Sequence, residues 1–490
     1  MFPMGSEDLN AFPNNVIYNV YAKCDKNAYE NVSGKPFSSG DPFGTGIAEQ
    51  NNQFVNCTIT IVSPDSFFES EGSIHLIGFG SRLYKKLTWA FKFDKKFLGR
   101  KAVKLRAMAN DPTLVREKVT TELYKAAGIP VQEGTYARLF INDDTYGLYT
   151  IMDSLSKKWI SSYIHRDTIE DIGFSYKLYA HIPTYPNFKY MGDNYEDYTE
   201  LYVPDEYEDD AVDPNNESSH YTHIMRFIKL FDTWVNTPNQ PIEELSKFFN
   251  IELTLRIMVI DTLVLALDNF WLRMSNVALY YNPEKDNYIL LPYDFDKTLG
   301  GSRGDPMLNP ASYISDCYTW ANQHEEKIDH YFTNTLLKHP KIRARYDVIL
   351  KKASTELFTK DVVGKYIDEV ASLIRDDVQW NNDKSTSLVT AYKGYLNHYT
   401  FENFEGNLNY SPVGFKENVV VNDAEFGVKQ WVELRSESCK AATVNVDASN
   451  NENISDNEEV DVYNGVNSLF TSHSFTLIFI LSQFVLFFIL

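Results

Sequence analysis

The sequence predicts an α+β protein with a β-rich N-terminal part and a mostly helical C-terminal part. Three observations carry that reading. Between residues 12 and 154, short runs of β-branched and aromatic residues alternate with turn residues, as strands and hairpins require. From His220 to Leu267, and again across 322–376 and 385–398, apolar residues recur at helical spacing. Between these regions lies one strand pair, VALYY (277–281) and YILLPY (288–293), joined by the turn sequence NPEKDN. The 490 residues are 43% hydrophobic and 14% aromatic, ample for one large or two domains with tails.

In chain order, VIYNVYAK and NCTITIVS (56–63) read as strands. SIHLIGFGSRLYKKLTWAFKFD (73–94) reads as strand, glycine turn and strand, with Gly78 and Gly80 beside Lys85, Lys86 and Lys92. That combination suits phosphate contact, although a plain hairpin turn gives the same pattern. KAVKLRAMA (101–109) is a further strand. It leads to a helix expected to start with Asp111 as N-cap and Pro112 at its first position, and to stop at Gly128. Glu122 lies near the apolar face of this helix. A helix glutamate in that place pairs with a strand lysine in phosphoryl-transfer folds. GTYARLFINDDTYGLYTIMDS (134–154) is a hairpin turning at Asn142-Asp143-Asp144. Residues 203–220 are acidic and aperiodic, an exposed insertion.

LTLRIMVIDTLVLAL (253–267) is apolar nearly all round, so it predicts a buried helix that delivers Asp268 at its end. Asp268, Asn276, Asp294 and Asp296 then sit at the edges of the 277–293 strand pair. Hard oxygen ligands at converging strand ends suit Mg²⁺ held with nucleotide phosphates. Strand-end acids and amides also occur there for turn reasons alone.

The formal net charge of −21, with no basic stripe, excludes a nucleic-acid partner. Cys24, Cys57, Cys317 and Cys439 lack paired zinc spacing and allow two disulfides in three connectivities. Five Asn-x-Ser/Thr sequons, at Asn31, Asn56, Asn216, Asn409 and Asn453, agree with a secreted chain. The expected division is an N-terminal β-rich segment (1–55), a main domain (56–435), a disordered acidic stalk (440–465) and a terminal signal (466–490). That signal ends in 16 uncharged residues, 475–490, too few for a spanning helix of about 20. With Asn464-Gly465 and a polar spacer before it, the pattern is that of a GPI anchor rather than a tail anchor. The opening MFPMGSEDLNAFPNN shows no signal peptide, so the natural start is expected to lie upstream.

From residue 58 to 410 the order of blocks closely resembles the CotH family, spore-coat protein H kinases and their mucoralean cell-surface relatives. The resemblance rests on AFKFD, KLRAMANDPTLVREKVTTELYKAAGIP, RLFINDDTYGLYTIMD, LRIMVIDTLVLALDNFW, SNVALYYNP and LPYDFDKTLGG. It implies an atypical protein-kinase-like fold using ATP and Mg²⁺. Carried over by position, Asp268 is similar to the catalytic aspartate, and Asn276 and Asp294 to metal ligands with Asp296 beside them. Lys86 or Lys92 would contact phosphates, with Glu122 as helix partner. The chain departs from ordinary kinases in lacking HRD and DFG tripeptides, and seven residues separate Asp268 from Asn276 instead of four. The resemblance implies a Ser/Thr-bearing coat or wall protein as substrate at the external cell surface. It equally implies an adhesin or invasin that binds a host-cell receptor, with membrane attachment only through the lipid anchor.

Overall fold

The computed structural model describes residues 9–40, 42, 48–166, 171–181, 183–301, 310–323, 327–388, 392–396, 398–413, 426–449 and 453–454. The expected anchor signal (466–490) and most of the expected stalk lie outside these residues. Among the described residues, no helix is long and apolar enough to cross a membrane.

The first half is a closed barrel. Its strands are β1 (Ile17–Cys24), β4 (Val55–Ser63), β5 (Ser66–Leu76), β6 (Trp89–Phe97), β7 (Arg100–Arg106), β8 (Gly134–Ile141) and β9 (Asp144–Asp153). They run in the order β1-β4-β5-β6-β7-β9-β8. The antiparallel neighbours follow from hairpins, as expected for 134–154, where Asn142 takes the left-handed turn conformation. A parallel pairing of β1 with β8 closes the ring. Alternation sends Val20, Ile59, Ile61, Ile74, Phe91, Val103 and Leu105 inward. A short helix, α1 (Lys26–Gly34), adds Tyr29 and Val32 to the barrel's core, and a small pair forms between β2 (Phe37–Ser39) and β3 (Glu49–Gln50). Cys24 is bonded to Cys57 across β1 and β4.

Two local expectations change. Residues 77–88 form a long connection rather than a tight glycine turn. Arg82 fills it, donating to the carbonyls of Pro36, Asn51, Leu76 and Gly78, so the segment is spent on packing. The helix between β7 and β8, α2 (Arg116–Ala126), also starts four residues later than Pro112. The Asp111 carboxylate accepts from the Thr113 and Arg116 amides and from the Arg116 guanidinium, which organises a loop before the first turn.

The second half is helical around one small sheet. α3 (Lys157–Tyr163) precedes β10 (Phe174–Leu178) and β11 (Tyr202–Pro204). Then come α4 (Thr222–Asn236), α5 (Ile242–Ser246), α6 (Ile251–Val264) and α7 (Phe270–Arg273). The strands β12 (Val277–Asn282) and β13 (Asn287–Pro292) complete a sheet ordered β11-β10-β12-β13. α8 (Pro310–Ser315), α9 (Tyr331–Lys338), α10 (Pro340–Lys352), α11 (Lys360–Thr386), α12 (Phe401–Asn409) and α13 (Val428–Ala442) follow. The chain is thus α+β.

α6 is buried at every position, as its all-round apolar sequence predicts. Its last carbonyls would otherwise be orphaned in the core. Arg435 donates to Thr262 O at 2.9 Å, Trp431 to Leu263 O at 3.0 Å and the Leu299 amide to Val264 O at 2.6 Å. A disulfide between Cys317 and Cys439 fastens α13 in that role. α11 joins the two halves: Asn381 Oδ1 accepts from the Leu148 amide at 2.9 Å, and the Asp377 carboxylate accepts from Nε and Nη2 along one edge of the Arg138 guanidinium. Gly147, at φ +97°, makes room for this, since a Cβ there would lie 2.6 Å from Asn381 Oδ1.

Candidate functional site

Three segments converge where the barrel meets the second half: residues 265–276 after α6, residues 293–298 after β13, and the end of β7 with the start of α2. α6 ends in left-handed Leu265, and the chain turns through Asp268 into α7. Asn276 Nδ2 donates to the Asp268 carbonyl at 2.9 Å, and the Tyr293 amide donates to the Asn276 carbonyl at 2.9 Å. The β12–β13 ladder therefore sets Asn276 beside the exit of β13. Asn269 Nδ2 binds the carbonyls of Tyr293 (2.9 Å) and Asp294 (3.1 Å), tying the two loops together. Met274, Asn276, Asp294 and Leu299 all have φ between 48° and 62°. Non-glycine residues held there cost energy, and such strain gathers at functional sites.

Four acids meet four bases here. Lys297 Nζ lies 3.0 Å from Asp268 Oδ2, and Arg273 lies 3.6 Å from Oδ1. Arg106, from the end of β7, binds both Asp294 oxygens, with Nη1 to Oδ2 at 2.7 Å. Its Nε lies 2.7 Å from Glu117 Oε1 on α2. Asp296 receives Asn110 Nδ2 at 3.3 Å and lies 4.0 Å from Arg106. Lys104, two residues before Arg106 on the same strand face, sits with Nζ 5.7 Å from the centre of the Tyr293 ring. The side chains of Asp268, Asp294 and Asp296 remain 26%, 30% and 28% exposed, so the carboxylates stay open to solvent.

Burial raises the Asp294 carboxyl, but the Arg106 guanidinium overrides it and holds the group below its ordinary value. Burial and the neighbouring Asp294 charge push Asp296 upward, so one of the two carboxyls carries the anion more readily. Burial, with the Lys177 and Arg106 charges, pulls Lys104 down to about 8. The Asp268 charge raises Lys297, keeping it cationic.

Among the described residues, no three His, Cys, Asp or Glu side chains are gathered to hold a metal ion by themselves. The oxygen donors on offer are Asp294, Asp296 and the amide of Asn276. That set fits Mg²⁺, which takes one or two carboxylates and fills its other positions with water and phosphate.

The structure therefore brings together Asp268, Asn276, Asp294 and Asp296, but not the expected lysines and glutamate. Lys86 is buried, donating to Leu148 O (2.7 Å) and Asn381 Oδ1 (2.9 Å), and desolvation lowers it to about 7. Lys92 points outward from β6 over the Phe54 ring. Glu122 pairs along its own helix, with Lys118 at 2.9 Å and Lys125 at 3.9 Å. The strand base–helix acid pair at the cleft is made instead by Arg106 and Glu117. The signal for it was present in the sequence: KLR is the strand directly before the helix, and Glu117 lies in that helix's first turn. Glu122 lies five positions after Glu117, enough to place them on different faces.

Residues 74–410 match the family described as CotH kinase protein. The chain belongs to the CotH family. It is 24% identical to Spore coat protein homolog 1 of Rhizopus delemar over 416 residues, which is 81% of this chain and 63% of that protein. It is 23% identical to Invasin CotH3 and 24% to Invasin CotH2 of the same organism, each over 71% of this chain. The chain spans 55% and 56% of those two invasins. The matched CotH region runs from β5 through α12 and so contains every residue of the cleft.

Proposed function

We propose that this CotH protein is a surface-located atypical protein kinase that transfers phosphate from Mg²⁺-ATP to Ser/Thr hydroxyls of a coat or wall protein. The carrying observation is the Lys104–Arg106–Glu117 array on β7 and α2 facing Asp268, Asn276 and Asp294 across one cleft. A β-barrel half over a helical half, with that cleft between, supports a kinase-like arrangement of lobes. Mg²⁺, when bound, supplies the charge that offsets the phosphate oxygens. Asp294 and Asn276 would hold it, with Asp296 in support. Lys104 and Arg106 offer donors to phosphate, and Glu117 fixes the direction of Arg106. Asp268, paired with Lys297 and Arg273, orients the acceptor hydroxyl and takes its proton. The test is phosphoryl transfer from labelled ATP by the full chain. Asp268→Asn should lose transfer while keeping ATP affinity, and transfer undiminished in that variant would refute the assignment.

A second reading is supported by the names of the relatives, a spore coat homologue and two invasins. In it the chain acts as an adhesin at the external surface, held by a GPI anchor, and its fold serves to bind a host-cell receptor. Two disulfides and exposed sequons at Asn31, Asn56, Asn216 and Asn409 support passage through an oxidising secretory route. Cell binding that survives Asp268→Asn would show that adhesion does not need the chemistry. Loss of both together would tie them.

A further inference from the structure

The core of the second half contains a buried acid, Asp261, that the chemistry above does not use. Asp261 lies on α6, fully buried, on a helix with no exposed position. It has no ion-pair partner among the described residues. Its Oδ1 accepts from the Tyr124 hydroxyl of α2, and its Oδ2 accepts from the Trp271 amide at 2.9 Å. An apolar side chain would suit this place better for stability, because a buried carboxyl without a cation is costly to keep. Burial indeed pushes the Asp261 carboxyl up to about 7.

What it does there follows from its partners. Asn269 is the N-cap of α7, yet its side chain makes no capping bond: Nδ2 donates to the Tyr293 and Asp294 carbonyls, and Oδ1 does not accept from α7. Asp261 caps the second residue of α7 in its place. Asn269 is thereby released to join the Asp268 loop to the Asp294 loop. On its other side, Tyr124 stacks on Phe295, between Asp294 and Asp296, with ring centres 4.4 Å apart and planes at 15°. Tyr124 also belongs to the helix that carries Glu117.

We infer that Asp261 is a positioning residue: through Trp271 N and through Tyr124 on Phe295, it sets the Asp268 loop, the Asp294–Asp296 loop and α2 in register. The inference deepens the kinase reading and rests on it for its effect on turnover. Its geometric content stands apart from that reading. Misplacement of reacting groups by about 1 Å costs on the order of 100-fold in rate, so the effect belongs in kcat rather than in substrate affinity.

The experiment compares the full-length protein with Asp261→Asn, Asp261→Leu, Tyr124→Phe and the Asp261→Asn/Tyr124→Phe double variant. Asp261→Asn should lower kcat by roughly 10- to 100-fold with KM for ATP changed less than about 3-fold. The double variant should be no worse than the poorer single one, because both act through one link. Amide exchange should rise in peptides covering 267–274 and 292–298 but not in α6. Asp261→Leu should fold and melt at least as high as Asp261→Asn while remaining slow. Recovery of wild-type kcat in Asp261→Leu, or unchanged exchange in both peptides with Asp261→Asn, would overturn the inference. Should the wild type neither bind Mg²⁺-ATP nor transfer phosphate, the kinase reading fails, and the exchange result alone decides whether Asp261 positions the loops.

Discussion

Glu117 and Glu122 lie on the same helix, and the structure gives them different work, so exchanging each for glutamine separates their roles. Glu117 is 2% exposed and its carboxylate meets Arg106 Nε at 2.7 Å. Glutamine keeps an acceptor oxygen there but loses the charge. A charge-assisted hydrogen bond is worth about 1.5–3 kcal/mol and a neutral one about 1, so the change weakens the hold on Arg106 by about 1–2 kcal/mol. Part of this is offset in stability, because burial itself raises the Glu117 carboxyl and disfavours its charge. The loss should appear mainly in the placement of Arg106. Mg²⁺-ATP affinity is expected to fall by about 5- to 30-fold, at 1.4 kcal/mol per tenfold. Among the described residues, Glu122 forms its ion pairs with Lys118 and Lys125 of its own helix. Glu122→Gln should therefore cost about 1 kcal/mol or less of stability and leave ATP affinity within about 2-fold. Isothermal titration at fixed Mg²⁺, with urea unfolding alongside, reads both quantities. Weakened ATP binding by Glu122→Gln with none by Glu117→Gln would refute the pairing described above.

Further outcomes follow from other parts of the fold. Lys86 is lowered to about 7 from its ordinary value by burial, so the folded state resists its charge. The resulting cost is full below pH 7 and vanishes as pH rises past the unfolded lysine value, so wild-type stability should climb between pH 7 and about 10.4. That fall is worth about 5 kcal/mol at most, and the two lost charge-assisted hydrogen bonds return about 3. Lys86→Met should thus stabilise by about 2 kcal/mol at pH 6.5, less at pH 9.5, with ATP affinity unchanged; denaturant midpoints at both pH values check it. Replacing Cys317 and Cys439 by serine opens a 122-residue separation and should cost about 2–5 kcal/mol, read as a fall in melting temperature. Expressed through a secretory route, the chain should lose mass on endoglycosidase treatment. Asn453, which receives Arg345 at 3.3 Å, should be the sequon least modified by peptide mapping.

The features legible in the sequence were those fixed by local pattern. The all-round apolar run of α6 announced both its burial and the delivery of Asp268. The period-two runs either side of NPEKDN gave β12 and β13, and with them the meeting of Asn276 and Asp294. The barrel's closure was not legible, because β1 pairs with β8 across more than a hundred residues and no local signal encodes a parallel contact of that kind. Which lysine faces the cleft was also hidden. Lys86 and Lys92 look as basic as Lys104, and no local pattern shows that Lys86 is buried against Leu148 and Asn381 or that Lys92 points out over Phe54. Asp111 shows the limit of cap rules: an N-cap residue followed by proline gave a helix start four residues too early, because its carboxylate reaches forward to the Arg116 amide. Asp261 was hidden within an apolar run, where a single acid carries no periodic signal.

The central claim is that the cleft at Asp268, Asn276 and Asp294 binds Mg²⁺-ATP. Thermal unfolding of the full chain with and without millimolar Mg²⁺-ATP tests it most directly. Ligand at about 100 times its dissociation constant stabilises by about 2.7 kcal/mol, which raises the melting temperature by a few degrees. The account predicts such a rise in the wild type, dependent on Mg²⁺, and its loss in Asp294→Ala. No rise in the wild type, or an equal rise in Asp294→Ala, would contradict it.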